Sequence, residues 1–181
     1  CWRVVSPLAG ALGHLVRRPG GQIGFYCPDT GYAHGFRQTT TRTKPIPSPD
    51  DLCGFKIRLP VAPYLISLFR HLGASPTAIN FNEVYSALQT GIVDGQENPL
   101  AIIDTAKLYE VQKYLSVTNH MWDGFWFLAN SRAWATLPAY TRGFAEDELN
   151  VSSVAELEAV ANVNPTLSGA LQWHGVEYID T

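Results

Sequence analysis

The 181-residue chain has few cysteines, no excess of positive charge and no long apolar run. Its three cysteines, Cys1, Cys27 and Cys53, fit no zinc-ligand spacing. We expect ordinary thiols, and a Cys1–Cys27 disulfide stays open. Apolar runs such as residues 100–103 are far shorter than the ~20 residues of a membrane-spanning helix. The formal net charge of -3 provides no basic field for nucleic acid or for an anionic membrane surface.

The chain also lacks the short motifs of common enzymes. It contains no nucleophile elbow, no phosphate-binding glycine loop, no HExxH and no EF-hand loop. Glu83, Asp94 and Glu97 are close in sequence, but no base or metal ligand accompanies them. They fit a capping carboxylate and turn acids better than a catalytic pair. The sequence therefore predicts no enzymatic activity and no cofactor.

Apolar residues make up 46% of the chain and charged residues 16%, which is typical of a globular protein with a core. Strand and helix patterns alternate along it. Residues 55–59 alternate apolar and polar side chains and predict a strand that Pro60 ends. Residues 63–72 have helical spacing and stop before Gly73. This alternation predicts an α/β protein with a largely parallel sheet.

The remaining elements are predicted from caps, chain breakers and short apolar runs. Asn82 and Asn98 are each predicted to cap a helix, with Pro99 at the first helical position. The three prolines within residues 44–49 predict a crossing loop. The predicted helices are 8–16, 82–88, 100–108, one opening at Ser131, and a mostly helical region 139–172 broken at 162–165. The predicted extended segments are 22–26, 35–41, 77–81, 122–128 and 176–179.

Three polar residues are candidates for binding an anion. Arg58 lies on the polar face of its predicted strand, near the sheet end at which open α/β proteins bind ligands. Its planar guanidinium suits a carboxylate. Arg37 lies in an extended polar run, and Asn98 would add an amide at a helix N-terminus. Each also has an ordinary explanation, as a solvated arginine or a plain helix cap, and the residues alone do not decide between the two.

Residues 81–99, FNEVYSALQTGIVDGQENP, closely resemble the signature of DctP-type solute receptors of tripartite ATP-independent periplasmic (TRAP) transporters. The similarity continues upstream in GFRQ at 35–38 and GFKIR at 54–58. Downstream it continues in YEVQKYL at 109–115 and TNH at 118–120. These blocks keep the order and spacing of the family from about residue 35 to residue 138.

The resemblance implies a periplasmic-binding-protein-like fold, in which two α/β lobes are joined by crossing segments and a long helix. It places a remnant of the first lobe and a crossing strand at 1–41, and the second lobe at 42–120. A returning strand and helix follow at 121–150, and a connecting helix with a final strand at 151–181. Because family members are considerably longer, we expect this chain to be partial and the fold incomplete.

The resemblance also implies a function. It indicates an extracytoplasmic, periplasmic protein that binds a small organic acid, such as a sugar acid or a C4-dicarboxylate, and delivers it to membrane permease subunits. The alternative is a sensor of the same fold that presents the acid to a signalling partner. The segment 96–99 differs from the branch of the family that binds a keto acid through a metal, so no metal is expected.

Site residues are implied by position. The resemblance assigns the ligand carboxylate to Arg58, Arg37 and Asn98. It assigns contacts with the rest of the ligand to Phe81, His120, Trp122, Asp123 and Phe125. The aromatic character of 122–125 would suit a sugar ring or an aryl acid, although Trp122 and Phe125 fit a hydrophobic core equally well.

Overall fold

A computed structural model describes residues 24–28 and 31–181, in which strands and helices alternate. The strands are β1 (Phe25–Tyr26), β2 (Tyr32–Thr41), β3 (Lys56–Leu59), β4 (Ser75–Ala78), β5 (Gly95–Pro99), β6 (Tyr114–Phe125), β7 (Ala129–Asn130) and β8 (Glu177–Ile179). The helices are α1 (Pro63–His71), α2 (Val84–Thr90), α3 (Leu100–Thr105), α4 (Ser131–Thr136) and α5 (Ala139–Trp173). Short 3-10 turns lie at Pro49–Leu52, Phe81–Glu83 and Leu108–Glu110.

Six strands form one sheet in the order β4-β3-β5-β2-β6-β8. Strand β3 is parallel to β4 and to β5, and β6 is parallel to β8. Helices connect β3 to β4 and β4 to β5, as parallel neighbours require. Strand β2, however, is antiparallel to β5. The α/β class is therefore confirmed, and the sheet is mixed.

The chain divides into two compact units. Unit 1 comprises Cys1–Gly35 and Asp123–Val163, and unit 2 comprises Phe36–Trp122 and Asn164–Thr181. In unit 1, the rings of Tyr26 and Trp134 stack with their centroids 4.3 Å apart. The N–H of Ala33 donates to the carboxylate of Glu156 at 3.1 Å. The lobe boundaries implied by the resemblance remain predictions.

The apolar core of unit 2 consists of two clusters of buried side chains. Strand β3 and helix α1 contribute Ile57, Leu59, Leu65 and Phe69 to the cluster that also contains Ile46, Leu52, Phe55 and Ala74. The second cluster is formed by Val84, Ala87, Leu88, Val93, Ile103, Leu108, Leu115, Leu171 and Val176. Removing these side chains from water is the main stabilising contribution to this unit.

Strand β3 and helix α1 lie where the sequence predicts them. The strand predicted at 77–81 is displaced, because β4 ends at Ala78 and Phe81 begins a 3-10 turn. Asn82 does not cap a helix, since it lies within that turn and α2 begins only at Val84. The predicted helix at 8–16 lies outside the described residues.

Two further predictions are wrong. Asn98 is not a helix cap, because it lies in β5, and Pro99 takes the N-cap position of α3. The predicted break at 162–165 is absent, since α5 runs from Ala139 to Trp173 with Pro165 inside it. A proline costs one intrahelical hydrogen bond. Burial of Leu167 and Leu171 in the following turns offsets that loss.

Strand β5 can approach its neighbours only because it begins with glycine. A Cβ atom on Gly95 would lie 2.4 Å from the carbonyl oxygen of Thr40 and 2.9 Å from the ring of Phe55. Gly95 is paired with Thr41 in β2 and with Ile57 in β3. The close contact fixes the register of the three strands, and therefore the position of residues 96–98.

Candidate functional site

Arg58 is a buried cation with neutral partners. It lies on β3 and is only 2% exposed. Its Nε and Nη2 atoms donate to the backbone carbonyl of Ile79, at 2.9 and 2.7 Å. In the described part of the chain, no carboxylate forms an ion pair with this guanidinium. A buried charge normally requires a counter-charge, so the site is prepared for an anion.

The environment of Arg58 disfavours its charge. Burial lowers the pKa of Arg58 to about 10 from 12.5. The negative charge of Glu97 opposes this shift, and the positive charge of Arg37 adds to it. Arg58 therefore stays protonated at neutral pH. Its charged form carries a free-energy cost of burial, which a bound anion would reduce.

Arg37 is held by a buried carboxylate. Its Nε donates to Oε2 of Glu97, and its Nη2 donates to Oε1 of the same group at 2.9 Å. Glu97 is fully buried and Arg37 is 6% exposed. This fork-to-fork geometry is the strongest form of an arginine–carboxylate pair. In the antiparallel pair of β2 and β5, Thr39 lies opposite Glu97. Arg37, two residues before Thr39 in β2, is therefore close enough to pair with the Glu97 carboxylate.

Glu97 also begins a chain of hydrogen bonds. Its Oε2 lies 3.1 Å from Nε2 of His120, and Nδ1 of that ring lies 2.8 Å from Oγ1 of Thr118. Oγ1 of Thr118 lies 3.2 Å from Oγ1 of Thr39. The edge of His120 contacts the Phe69 ring, with the centroids 5.3 Å apart. His120 is thus fixed on β6 with both nitrogens satisfied.

Both polar atoms of the Asn98 side-chain amide form hydrogen bonds. Its Oδ1 accepts from Nη2 of Arg37 at 3.0 Å, and its Nδ2 donates to Oε1 of Gln96. Gln96 in turn donates to Oγ1 of Thr40 at 2.8 Å. Because these side chains are buried and connected, Asn98 has a fixed orientation beside the ion pair.

The structure brings Arg37, Asn98 and His120 together around Glu97. The charges of Glu97 and Arg37 also act on Arg58. Phe81 is 47% exposed and lies two residues after Ile79, whose carbonyl binds Arg58. Trp122 ends the unit 2 part of β6, and its ring N–H is buried with no hydrogen-bond partner among the described residues.

Asp123 and Phe125 belong to unit 1. There, a carboxylate oxygen of Asp123 lies 3.8 Å from Nδ1 of His34. The rings of His34 and Phe125 are in contact, with their centroids 4.8 Å apart. The ligand-binding roles of both residues stay predictions.

Glu97 is the residue that the sequence alone did not single out. Its carboxylate organises the site, although its position in a run of polar residues indicated a turn. The pairing of Glu97 with Arg37 depends on the antiparallel register of β2 and β5, which is visible only in the fold. Thr39 and Thr118 were missed for the same reason.

Three other findings concern the described residues. They contain no group of three or more His, Cys, Asp and Glu residues placed to hold a metal ion. None of their helices is both long and apolar enough to cross a membrane. Cys53 is an exposed free thiol, Cys27 is half-buried, and Cys1 lies outside the described part.

Comparison with known proteins identifies the family. The sequence model of the DctP family, described as bacterial extracellular solute-binding protein, family 7, matches residues 12–181. The chain belongs to this family. A solute-binding protein of Roseobacter denitrificans is 38% identical over 144 residues, which are 80% of this chain and 41% of that protein. The sialic acid-binding periplasmic protein of Vibrio cholerae is 45% identical over 109 residues, 60% of this chain and 33% of that protein.

Solved structures of TRAP periplasmic solute-binding proteins have the same fold. The Roseobacter denitrificans protein, with bound L-galactonate, gives a TM-score of 0.89 at 30% identity. The match covers 96% of this chain and 58% of the Roseobacter chain. A protein from Sulfurospirillum deleyianum with bound succinate also gives a TM-score of 0.89, at 28% identity. The match covers 96% of this chain and 57% of the Sulfurospirillum chain. This DctP-family chain therefore spans little more than half the length of these structures, as expected of an incomplete two-lobe fold.

Proposed function

We propose that this chain is part of the extracytoplasmic solute-binding component of a TRAP transporter, and that Arg58 binds the carboxylate of a small organic acid. The observation that supports this most directly is the burial of Arg58 without a carboxylate partner among the described residues. Ligands of this chemical class are bound by relatives, since solved structures of the family contain L-galactonate and succinate.

In this proposal the residues have different roles. Arg58 supplies the charge, because its buried guanidinium donates to the neutral backbone carbonyl of Ile79 and forms no ion pair with a carboxylate of the described residues. Arg37 and Asn98 supply donors whose positions Glu97 and Gln96 fix. Binding is then the capture of a carboxylate by preformed side chains of unit 2.

Calorimetry on the full-length gene product tests the assignment of Arg58. We expect micromolar binding of at least one acid among galactonate, succinate and sialic acid. Arg58→Gln should weaken that binding by about 10- to 100-fold, because one charge-assisted pair contributes roughly 1.5–3 kcal/mol.

The matched control is Arg70→Gln, which changes an exposed arginine on α1 and should leave the affinity unchanged. Full affinity in Arg58→Gln would refute the carboxylate assignment, and absence of binding by the wild-type protein would refute the proposed function.

Delivery to a membrane permease is the second part of the proposal, and it rests on membership of the family. Deleting the gene should abolish uptake of the acid that the protein binds, and a plasmid copy should restore it. The Arg58→Gln copy should not. Normal uptake in the deletion strain, together with loss of a transcriptional response to the acid, would favour the sensor instead.

A further inference from the structure

Asn119 has an unusual backbone conformation for a residue within a strand. Its φ angle is +42°, although it lies near the middle of β6 (Tyr114–Phe125). In the described part of the chain, Lys107 is the only other non-glycine residue with a positive φ, and it lies in the turn before Leu108. A left-handed residue turns the chain out of the extended path of a strand. Such a conformation persists only where the surrounding contacts determine it.

Gln38 supplies those contacts from the neighbouring strand β2. Its Oε1 accepts from the backbone N–H of Asn119 at 3.0 Å, and its Nε2 donates to Oδ1 of the Asn119 side chain at 2.7 Å. Gln38 is only 5% exposed, so its end of these hydrogen bonds is shielded from water. The two bonds hold the backbone and the side chain of Asn119 at once, and we call this pair the Gln38–Asn119 clamp.

The clamp acts between two residues of the polar network around Glu97. Thr118 precedes Asn119, and His120 follows it. Oγ1 of Thr118 lies 2.8 Å from Nδ1 of His120, and Nε2 of that ring lies 3.1 Å from Oε2 of Glu97. Residues on the same face of a regular strand are separated by roughly 6.6 Å along it. The left-handed residue between Thr118 and His120 bends the strand, which favours the direct contact of their side chains.

We infer that Gln38 and Asn119 are positioning residues of the unit 2 site, which hold His120 against the carboxylate that orients Arg37. This inference rests on the proposed function, in which Arg37 supplies donors to the ligand. The amide of Gln38 is directed at Asn119 and at its own strand, so its role is to set a backbone conformation. The clamp acts on the position of the His120 ring, whichever protonation state the ring has.

Two valine substitutions at left-handed positions form a matched pair for the binding test. Asn119→Val and Lys107→Val each place a β-branched side chain where φ is positive, which such residues rarely adopt. Both should lower stability in urea unfolding, but Lys107 is an exposed turn residue outside the site. Calorimetry on the full-length gene product uses galactonate, succinate and sialic acid. Asn119→Val should bind about 3- to 10-fold more weakly, the equivalent of one neutral hydrogen bond, and Lys107→Val should bind as the wild type does.

Nuclear magnetic resonance of ring-labelled histidine gives a readout that a loss of stability alone would not change. The ring nitrogen signals of His120, identified by their absence in His120→Gln, should shift in Asn119→Val and stay in place in Lys107→Val. Asn119→Gly should shift them less and lose less affinity, because glycine adopts a positive φ without steric cost. Equal shifts and equal losses of affinity in Asn119→Gly and Asn119→Val would overturn the inference that the left-handed backbone positions His120.

Gln38→Met keeps the approximate size of the side chain and removes both of its hydrogen bonds to Asn119. It should shift the His120 signals and weaken binding in the same way, so it decides the question if Asn119→Val does not fold. Unshifted His120 signals in Gln38→Met would overturn the inference and leave the proposed function of Arg58 intact. If the wild-type protein binds none of the three acids, the proposed function fails and the role in binding fails with it, whereas the His120 signals still decide whether the clamp positions that ring.

Discussion

Arg58 and Arg37 are both buried arginines on the two strands that flank β5, yet their partners differ. Arg37 is bound by the Glu97 carboxylate, whereas Arg58 donates to the Ile79 carbonyl. A carbonyl dipole compensates a buried cation far less than a carboxylate does. The unpaired cation is the group that gains most from an incoming anion, which makes Arg58 the electrostatic centre of the proposed site.

This imbalance predicts an alkaline limit to ligand affinity. Burial lowers the pKa of Arg58 to about 10, so its charge is complete below about pH 9 and declines as the pH rises through 10. Because only the charged form pairs with a carboxylate, affinity should be constant from pH 7 to 9. It should be roughly tenfold weaker by pH 11.

Calorimetry in buffers of different ionisation enthalpy measures both the affinity and the protons taken up. Near pH 10, binding should be accompanied by proton uptake, because the bound carboxylate restores the charge of Arg58. Circular dichroism at each pH shows whether the protein remains folded. A folded protein whose affinity stays constant to pH 11 would contradict the lowered pKa of Arg58.

At the scale of elements, the sequence predicted the strands and helices whose apolar residues recur with the strand period of two or the helix period of 3.6 residues. Strand β3 and helix α1 are such cases, because alternation and helical spacing reflect burial of one face. Strand β5 was missed because its residues are polar yet buried. Gln96, Glu97 and Asn98 are tolerated there since Thr40 and Arg37 complete their hydrogen bonds.

The candidate site shows the same division. Arg58, Arg37 and Asn98 were identified by residue type and by resemblance. The ion pair that neutralises Arg37 was not, because it joins residues 60 positions apart through strand register. Local patterns report which face of an element is apolar, whereas partnerships between distant polar residues require the sheet order.

The register of β5 gives a prediction about stability. Gly95→Ala places a Cβ 2.4 Å from the Thr40 carbonyl oxygen, so the strands must separate. We expect a loss of about 1–3 kcal/mol in the free energy of unfolding, measured by urea denaturation. Gly169→Ala is the control, because at this helical position in unit 2 an added Cβ would lie within 4 Å of no described atom beyond its chain neighbours and its own helix backbone. It should stabilise by roughly 0.5–1 kcal/mol. A neutral Gly95→Ala would contradict the tight packing of β5.

On the scale of the whole molecule, the 35 residues of α5 belong to both units. Its residues up to Val163 are assigned to unit 1, and those from Asn164 are assigned to unit 2. The second part is anchored by Leu171, which is fully buried in the cluster that contains Leu115 and Val176. The C-terminal turns of α5 are therefore a component of the unit 2 core, although they lie far along the chain from most of it.

Truncating that anchor should destabilise unit 2 selectively. Leu171→Ala removes a fully buried leucine side chain, and we expect a loss of about 2–5 kcal/mol. Hydrogen exchange followed by mass spectrometry should show faster exchange in β5 and in residues 114–122 of β6, with little change in residues 139–160. Trp173→Ala, at a side chain that is 88% exposed two positions further on, should change stability by less than about 0.5 kcal/mol. Equal acceleration in both units after Leu171→Ala would show that they unfold as one cooperative body, and would contradict an independent core in unit 2.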